Sequence, residues 1–561
     1  MNEQTDFEEL APWLVVGLTL LGAFLRALYL AGKGMWLDET FSVWLASHSV
    51  ADILQWVVRI DQHPPLYYFL LHYWIALNGD TPYYVRFLSA LFGAATIPII
   101  YVIGKRLADF RMGLAAAALL AFSPYNIYYG QEARMYTLLA FNAAVAIYAL
   151  VRLLTDPRST RPIGSQFREY WHAWRTAGPV EPRRKDEFSY KEETRSQTRW
   201  RAWISRHRWS PIQSIETDLA WVAFILFSVA TLYSHNTAVL FPFAANIFVL
   251  GLMLFQRVKK TGAQPALQAP SFLNWVKAQL AILILWSPWL APFLKQAGEV
   301  YQRFWIPEPT WDAVIQVLKF FLNASGPLSA DLSRLIWTLF ALVLCLGLVH
   351  YRKKISQFLF LAALFAIPFL SELIVSIWRP IFSDRTLIWT TIPLFLVLAA
   401  GVVQFKYRPL IFVVMVSIGT INLFSAGDYY RFYQKEDWNT AARDVAGYAE
   451  KGDLVLFNSN FVIIPFNYYF KTYETHYYLQ VEKIGVPQDL FTTGILEPLM
   501  TANDVPGLIS LLKGHKRVWL VYSHDSYTDP LGLIPQTLAS QMKLTRKDDF
   551  YGGQVQLYTD P

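Results

Sequence analysis

The chain has 561 residues, of which 54% are apolar and only 16% charged, with 49 Lys and Arg against 42 Asp and Glu for a net charge of +7. The apolar residues come in blocks of about twenty rather than in amphipathic stripes, which excludes an ordinary soluble globule and points to a polytopic membrane protein. The cationic surplus gathers in alternate loops and so reads as a topology signal rather than as a nucleic-acid surface, while the single cysteine, Cys345, excludes an intramolecular disulfide and a Cys-based metal site.

In chain order the apolar blocks predict eleven membrane helices, at 11–31, 82–104, 112–128, 135–154, 218–235, 238–256, 276–294, 334–351, 356–378, 386–404 and 409–426. Each is near the length that about 30 Å of hydrocarbon requires. The first lacks a basic n-region and a small-x-small cleavage site, and is expected to stay as an anchor. Lys105-Arg106 with Arg111, the segment 155–217, Arg257-Lys259-Lys260, Arg352-Lys353-Lys354 and Lys406-Tyr407-Arg408 all fall on one side, assigned to the cytoplasm. Within the basic insert 155–217, Trp171, Trp174, Trp200, Trp203 and Trp209 beside arginines suggest interfacial helices on anionic lipid, or partial disorder.

The opposite side carries loop 32–81, the segment Ser123 to Arg134, the loop from about 295 to 333, the turn Arg379 to Arg385, and everything after about Gly427. These converge on the periplasm or exterior of a plasma (inner) membrane. The last stretch changes texture: Gly452 to Phe457 and Lys516 to Tyr522 read as short strands between helices near 438–450 and 504–514. The expected architecture is therefore a transmembrane catalytic module, 1–427, followed by a small soluble α/β domain, 428–561.

Chemistry concentrates on that outer face. Asp38 and Glu39 follow the first span; on a helix they would point roughly 100° apart, so one is expected to face a cleft and the other to cap a helix or pair with Arg134. His63 precedes two prolines that force an extended chain and aim the imidazole. Arg86, Glu132, Arg134, Tyr136 and Asp384-Arg385 stand at helix mouths, and His235-Asn236 occupies an outer turn. Glu132 and Arg134 also fit a plain ion pair joining two loops. The tyrosine pairs 67–68, 83–84, 128–129 and 429–430 read as interfacial belts. A carboxylate can take a proton from a hydroxyl, while a phosphodiester leaving group needs cations and no general acid. Carboxylates at 38, 39 and 132 are compatible with Mg²⁺ or Mn²⁺, but no His pair stands at metal spacing and the cations can serve a phosphate, so no metal or other cofactor is required.

Asp-Glu after the first span, His63-Pro64-Pro65-Leu66, Tyr84-Val85-Arg86-Phe87-Leu88-Ser89 and Gln131-Glu132-Ala133-Arg134-Met135-Tyr136 together resemble the GT-C glycosyltransferases. The branch resembled is that of the protein O-mannosyltransferases, the aminoarabinose transferase and the bacterial family 39 enzymes, over roughly residues 10 to 425. The resemblance implies transfer of a sugar from a polyprenyl-phosphate donor to a hydroxyl of a glycan, lipid or protein acceptor, with Asp38 as base and inversion at the anomeric carbon. The residues themselves suggest a single displacement in which Arg86, Arg134 or Arg385, helped by His63, stabilises the departing phosphate, with Glu132 and Tyr136 also expected at the substrate and Glu39 counted with Asp38 as catalytic. Thr386 stands where the resemblance would place an aromatic after Arg385. The rival reading, a transporter or flippase of lipid-linked glycans, should show a repeat between the halves, and none is evident.

Overall fold

The computed structural model describes residues 3–60, 63–176, 215–258, 266–299, 309–323, 330–405, 407–495 and 497–560. Trp200, Trp203 and Trp209 of the insert, Lys259-Lys260 and Lys406 lie outside them. A helix stands at each of the eleven apolar blocks. Among the described residues nine are long and apolar enough to cross a membrane. Helices at the third and fifth blocks are shorter, Phe110–Ala121 with 12 residues and Glu216–Leu232 with 17. The protein is a multi-pass membrane protein.

From the N-terminus, α1 (Glu3–Ala27) leads to three helices in the outer loop, α2 (Leu37–Ala46), α3 (Val50–Arg59) and α4 (Leu66–Asn78); α5 (Pro82–Leu107), α6 (Phe110–Ala121), α7 (Pro124–Gly130) and α8 (Tyr136–Thr155) follow. The expected span 112–128 is broken at Phe122. Ser123 and Pro124 are a helix start, the Ser123 hydroxyl accepting the Asn126 amide and proline filling the first turn, so α7 is a separate short helix rather than the end of one span. Arg26 of α1, fully buried, donates to the carbonyls of Leu120 (3.0 Å) and Ala121 (3.3 Å) at the end of α6.

Helix α8 and the span Asp384–Val402 sit at the centre with most of their residues buried, whereas the spans Phe272–Gly298 and Ser333–Tyr351 have few buried residues and turn leucines outward. Helix Ala330–Tyr351 crosses helix Thr391–Val402 at Gly347 and Gly401, where a side-chain carbon on Gly401 would overlap the Val343 carbonyl. Small residues are what let two membrane helices approach so closely.

The C-terminal domain is a five-stranded sheet in the order β2-β1-β3-β5-β4, with β1 (Leu454–Phe457), β2 (Glu482–Gly485) and β3 (Arg517–Tyr522) parallel and β5 (Gly553–Thr559) antiparallel to both β3 and β4 (Lys543–Phe550). Strands β1 and β3 and the helices Trp438–Tyr448 and Val505–Leu512 stand where the sequence placed them, while β2, β4 and β5 were not foreseen. Both faces are covered, so β1 and the interior of β3 are apolar: Leu454, Leu456, Val518 and Leu520 pack on Leu508, Leu512 and Leu538, while Val455, Phe457, Trp519 and Val521 pack on the other side. That second core continues into the outer loop, taking in Ile60 together with Leu37, Phe41, Trp44 and Trp56. The domain therefore rests on α2 and α3. Lys33 fastens the approach, its ammonium donating to the carbonyls of Tyr429, Tyr430 and Tyr433 at the end of helix Arg408–Phe432.

Candidate active site

Helix α2 starts at the extended Trp36 and places Asp38 and Glu39 in its first turn, where carboxylates complement the helix dipole. The 100° between them separates their fates. Glu39 is fully buried, while the Asp38 side chain is 27% exposed.

Glu39 receives Arg86 Nε at 2.7 Å and Nη2 at 2.7 Å, the Ala133 amide at 2.9 Å and Lys435 Nζ at 3.0 Å. Burial alone would raise its carboxyl, but the charges of Arg86 and Lys435 and the hydrogen bonds from Arg86 and Ala133 outweigh that and hold it down to about 2. A carboxylate so engaged has no oxygen left for a substrate hydroxyl, which corrects its expected catalytic role and its expected partner, Arg134. Arg86 is likewise corrected. Its remaining N–H groups go to the carbonyls of Leu30, Lys33 and Gly34, so all five donors are occupied and none is left for a phosphate.

Glu132 does not pair with Arg134 either. It lies 3.3 Å from Lys435, with both side chains 2% exposed. Burial raises the Glu132 carboxyl, Lys435 lowers it, and Glu39 and Asp38 raise it further. A buried acid of this kind repels a phosphate rather than binding it. Lys435 is the residue that sequence reasoning missed; its only local signal is that it ends an aromatic run, Tyr429 to Tyr433, just past a membrane helix.

Asp38 is held differently. Its Oδ2 lies 3.3 Å from Arg385 Nη1 and 3.9 Å from Arg134 Nε. Arg134 also donates to the Asp38 carbonyl (3.3 Å), Ser42 Oγ (3.2 Å) and Tyr68 OH (3.4 Å), and its own carbonyl accepts from Ser89 Oγ at 3.1 Å. Arg385 is oriented through its neighbour: Tyr129 donates to Asp384 Oδ2 and Tyr125 to the Asp384 carbonyl, each at 2.6 Å. A cavity of about 330 Å³ lined by Tyr128, Tyr129, Gln316, Val317, Phe320 and Asp384 lies beside it. The pairs 67–68 and 128–129 thus belong to the interior rather than to an interfacial belt; Tyr83 and Tyr84 are exposed.

His63 and His235 meet edge to face with ring centroids 5.1 Å apart, and Tyr136 lies 6.3 Å from His235. His235 Nδ1 accepts the Thr237 amide at 3.2 Å, which leaves the neutral ring's proton on Nε2. Burial, then the charges of His63, Arg385 and Arg134, hold its protonation well below the ordinary histidine range. Asn236 is structural, bonded to Gln296 and Trp289. From the C-terminal domain, Glu497 and Tyr527 come within electrostatic reach of Asp38. Among the described residues no group of three or more His, Cys, Asp or Glu side chains converges as a metal-ligand set.

A family model described as dolichyl-phosphate-mannose-protein mannosyltransferase matches residues 62–163, a stretch that holds His63, Arg86, Glu132, Arg134 and Tyr136. No curated protein matches the chain by sequence. Among solved structures the chain is similar to ArnT from Cupriavidus metallidurans in the apo state, with a TM-score of 0.57 at 11% identity over 97% of each chain. It is similar also to the same protein bound to undecaprenyl phosphate, with a TM-score of 0.54 at 10% identity over 97% of each chain. Likeness along the whole chain at such low identity is a likeness of fold, and the fold is that of the GT-C glycosyltransferases.

Proposed function

We propose that this protein is a membrane glycosyltransferase that moves a sugar from a polyprenyl-phosphate donor to an acceptor hydroxyl on the non-cytosolic face. The observation that carries the reading is the setting of Asp38: a partly open carboxylate flanked by Arg134 and Arg385, in a fold whose solved example ArnT binds undecaprenyl phosphate. Asp38 takes the proton from the acceptor hydroxyl. The oxygen attacks the anomeric carbon, the bond to the phosphate oxygen breaks, and the departing polyprenyl phosphate carries its charge to Arg134 and Arg385, with the His63 and His235 rings beside them. Single displacement inverts the anomeric carbon.

Glu39 and Arg86 serve by holding α2 in place. No metal has a part in this scheme, and a chelator should leave transfer unchanged. The acceptor is a glycan, lipid or protein hydroxyl approaching beneath the C-terminal domain.

The test is purified protein in nanodiscs given a panel of undecaprenyl-phosphate sugars with envelope lipids and glycans as acceptors. Release of undecaprenyl phosphate by the wild type and its loss by about two to four orders of magnitude in Asp38→Asn are expected. Transfer by Asp38→Asn at the wild-type rate would remove Asp38 from the base role.

A further inference from the structure

The four buried charges beneath Asp38 come from four separate parts of the chain. Glu39 is on α2, Arg86 on α5, Glu132 on the turn between α7 and α8, and Lys435 on the connector between helix Arg408–Phe432 and the C-terminal domain. Two carboxylates face two cations, every side chain is at most 2% exposed, and Lys435 alone touches both acids, at 3.0 Å and 3.3 Å. The Glu132 turn also contains Ala133, whose amide holds Glu39, and Arg134, whose guanidinium sits beside the Asp38 carboxylate.

We propose that Lys435 is a positioning residue: by neutralising the Glu39–Glu132 carboxylate pair it fixes the turn at 132–134 against α2, and so sets Asp38 and Arg134 relative to one another. This rests on the function proposed above. Without the ammonium, two carboxylates confront one guanidinium in a place closed to water, and a buried unpaired charge is among the most destabilising changes a protein can suffer. The repulsion acts along the turn that carries Arg134. Lys435 has no path of its own to the substrate, being enclosed by Glu39, Glu132 and the Trp36 ring at 5.8 Å. The C-terminal domain thereby enters the chemistry through the first residues of its connector.

The charges felt at Glu132 are those of Lys435, Glu39, Asp38 and Arg385, with the hydroxyls of Tyr128, Tyr129, Tyr136, Tyr429 and Tyr433 around it. With Lys435 removed, Glu132 is the acid that relieves the imbalance by taking a proton.

The experiment compares full-length wild type, Lys435→Met and Lys435→Met with Glu132→Gln in nanodiscs, by hydrogen exchange over residues 37–46 and by turnover of whichever undecaprenyl-phosphate sugar the wild type accepts. Lys435→Met should speed exchange by about tenfold and lower kcat by about a hundredfold with donor KM within about threefold. The loss should shrink as pH falls and Glu132 protonates. Adding Glu132→Gln restores two charges to balance and should bring both readings back to within about threefold of wild type. Unchanged exchange in Lys435→Met, or a double variant as impaired as the single one, overturns the proposal. If Lys435→Met cannot be purified, recovery of folded protein by the added Glu132→Gln is the expected result and its absence the refuting one. Exchange needs no substrate, so a wild type that turns over no polyprenyl-phosphate sugar sinks the proposed function while this inference is still decided.

Discussion

Arg86 clasps Glu39 with two parallel hydrogen bonds of 2.7 Å, and the pair is closed off from solvent beneath the helix that carries Asp38. Adjacent acids in the sequence therefore have unrelated duties, and substitutions at the two positions should fail in different ways.

Glu39→Gln leaves Arg86 buried without its counter-charge and Lys435 with Glu132 alone, and breaking a buried pair of this sort costs about 3–5 kcal/mol. The expected outcome is a large fall in thermal stability and yield in detergent. Asp38→Asn, at a partly open position, should melt close to wild type while losing transfer. Equal melting of the two variants, followed by tryptophan fluorescence, would contradict the division.

Arg134 and Arg385 flank the same carboxylate oxygen, and Arg134 is also tied into α2 through Ser42 and the Asp38 carbonyl. If both stabilise the departing phosphate, each alanine variant should slow transfer by about two orders of magnitude, equivalent to about 3 kcal/mol. Both should weaken binding of undecaprenyl phosphate in a direct titration. An Arg385→Ala protein that binds the lipid phosphate as the wild type does would take Arg385 out of the site.

The acid limb of stability has two contributors of known sign. Glu39, held at about 2 against an ordinary 4.5, stabilises the fold fully above pH 4.5, and this is lost as pH falls through about 2. His235, which stays neutral below its ordinary 6.5, adds stability above pH 6.5 that declines as pH falls and the unfolded chain takes up the proton. Glu132 acts in the opposite sense, its raised carboxyl favouring the fold as it protonates. A series of melts from about pH 7.5 to about 5 should show a slope in the wild type that His235→Asn flattens; an unchanged slope would place the histidine's effect elsewhere.

Gly401 faces the Val343 carbonyl across the crossing of two membrane helices with no room for a methyl group. Gly401→Ala should destabilise by about 1–3 kcal/mol through displacement of helix Ala330–Tyr351, with transfer by the surviving folded fraction close to normal. Specific activity that falls in proportion to nothing but folded protein is the expected readout.

The membrane part was legible because hydrophobic length is a strong signal: every apolar block holds a helix. What escaped was local. The break at Phe122 depends on Arg26, almost a hundred positions away, collecting the carbonyls that a helix end exposes, and no window of sequence contains both. The outer loop was read as extended around His63, whereas Pro65 turns directly into α4. At the site, the residue types at 38, 39, 86, 132 and 134 were visible in the sequence but their pairings were not. Each acid had several equally spaced cations available, and the deciding one for Glu39 and Glu132, Lys435, lies 396 positions from Glu39. Likewise, a tyrosine near the end of an apolar block looks the same whether it is exposed, as at 83–84, or faces an interior carboxylate, as Tyr129 does.

The shared apolar core of α2, α3 and the C-terminal sheet bears on how the protein is made. A nascent chain that has threaded the helix Arg408–Phe432 still lacks the floor against which α2 settles, since Trp519, Val521 and Leu557 are synthesised later. On the function proposed above, a polypeptide clipped after that helix should therefore insert in the bilayer and transfer no sugar, its α2 left without half of its core.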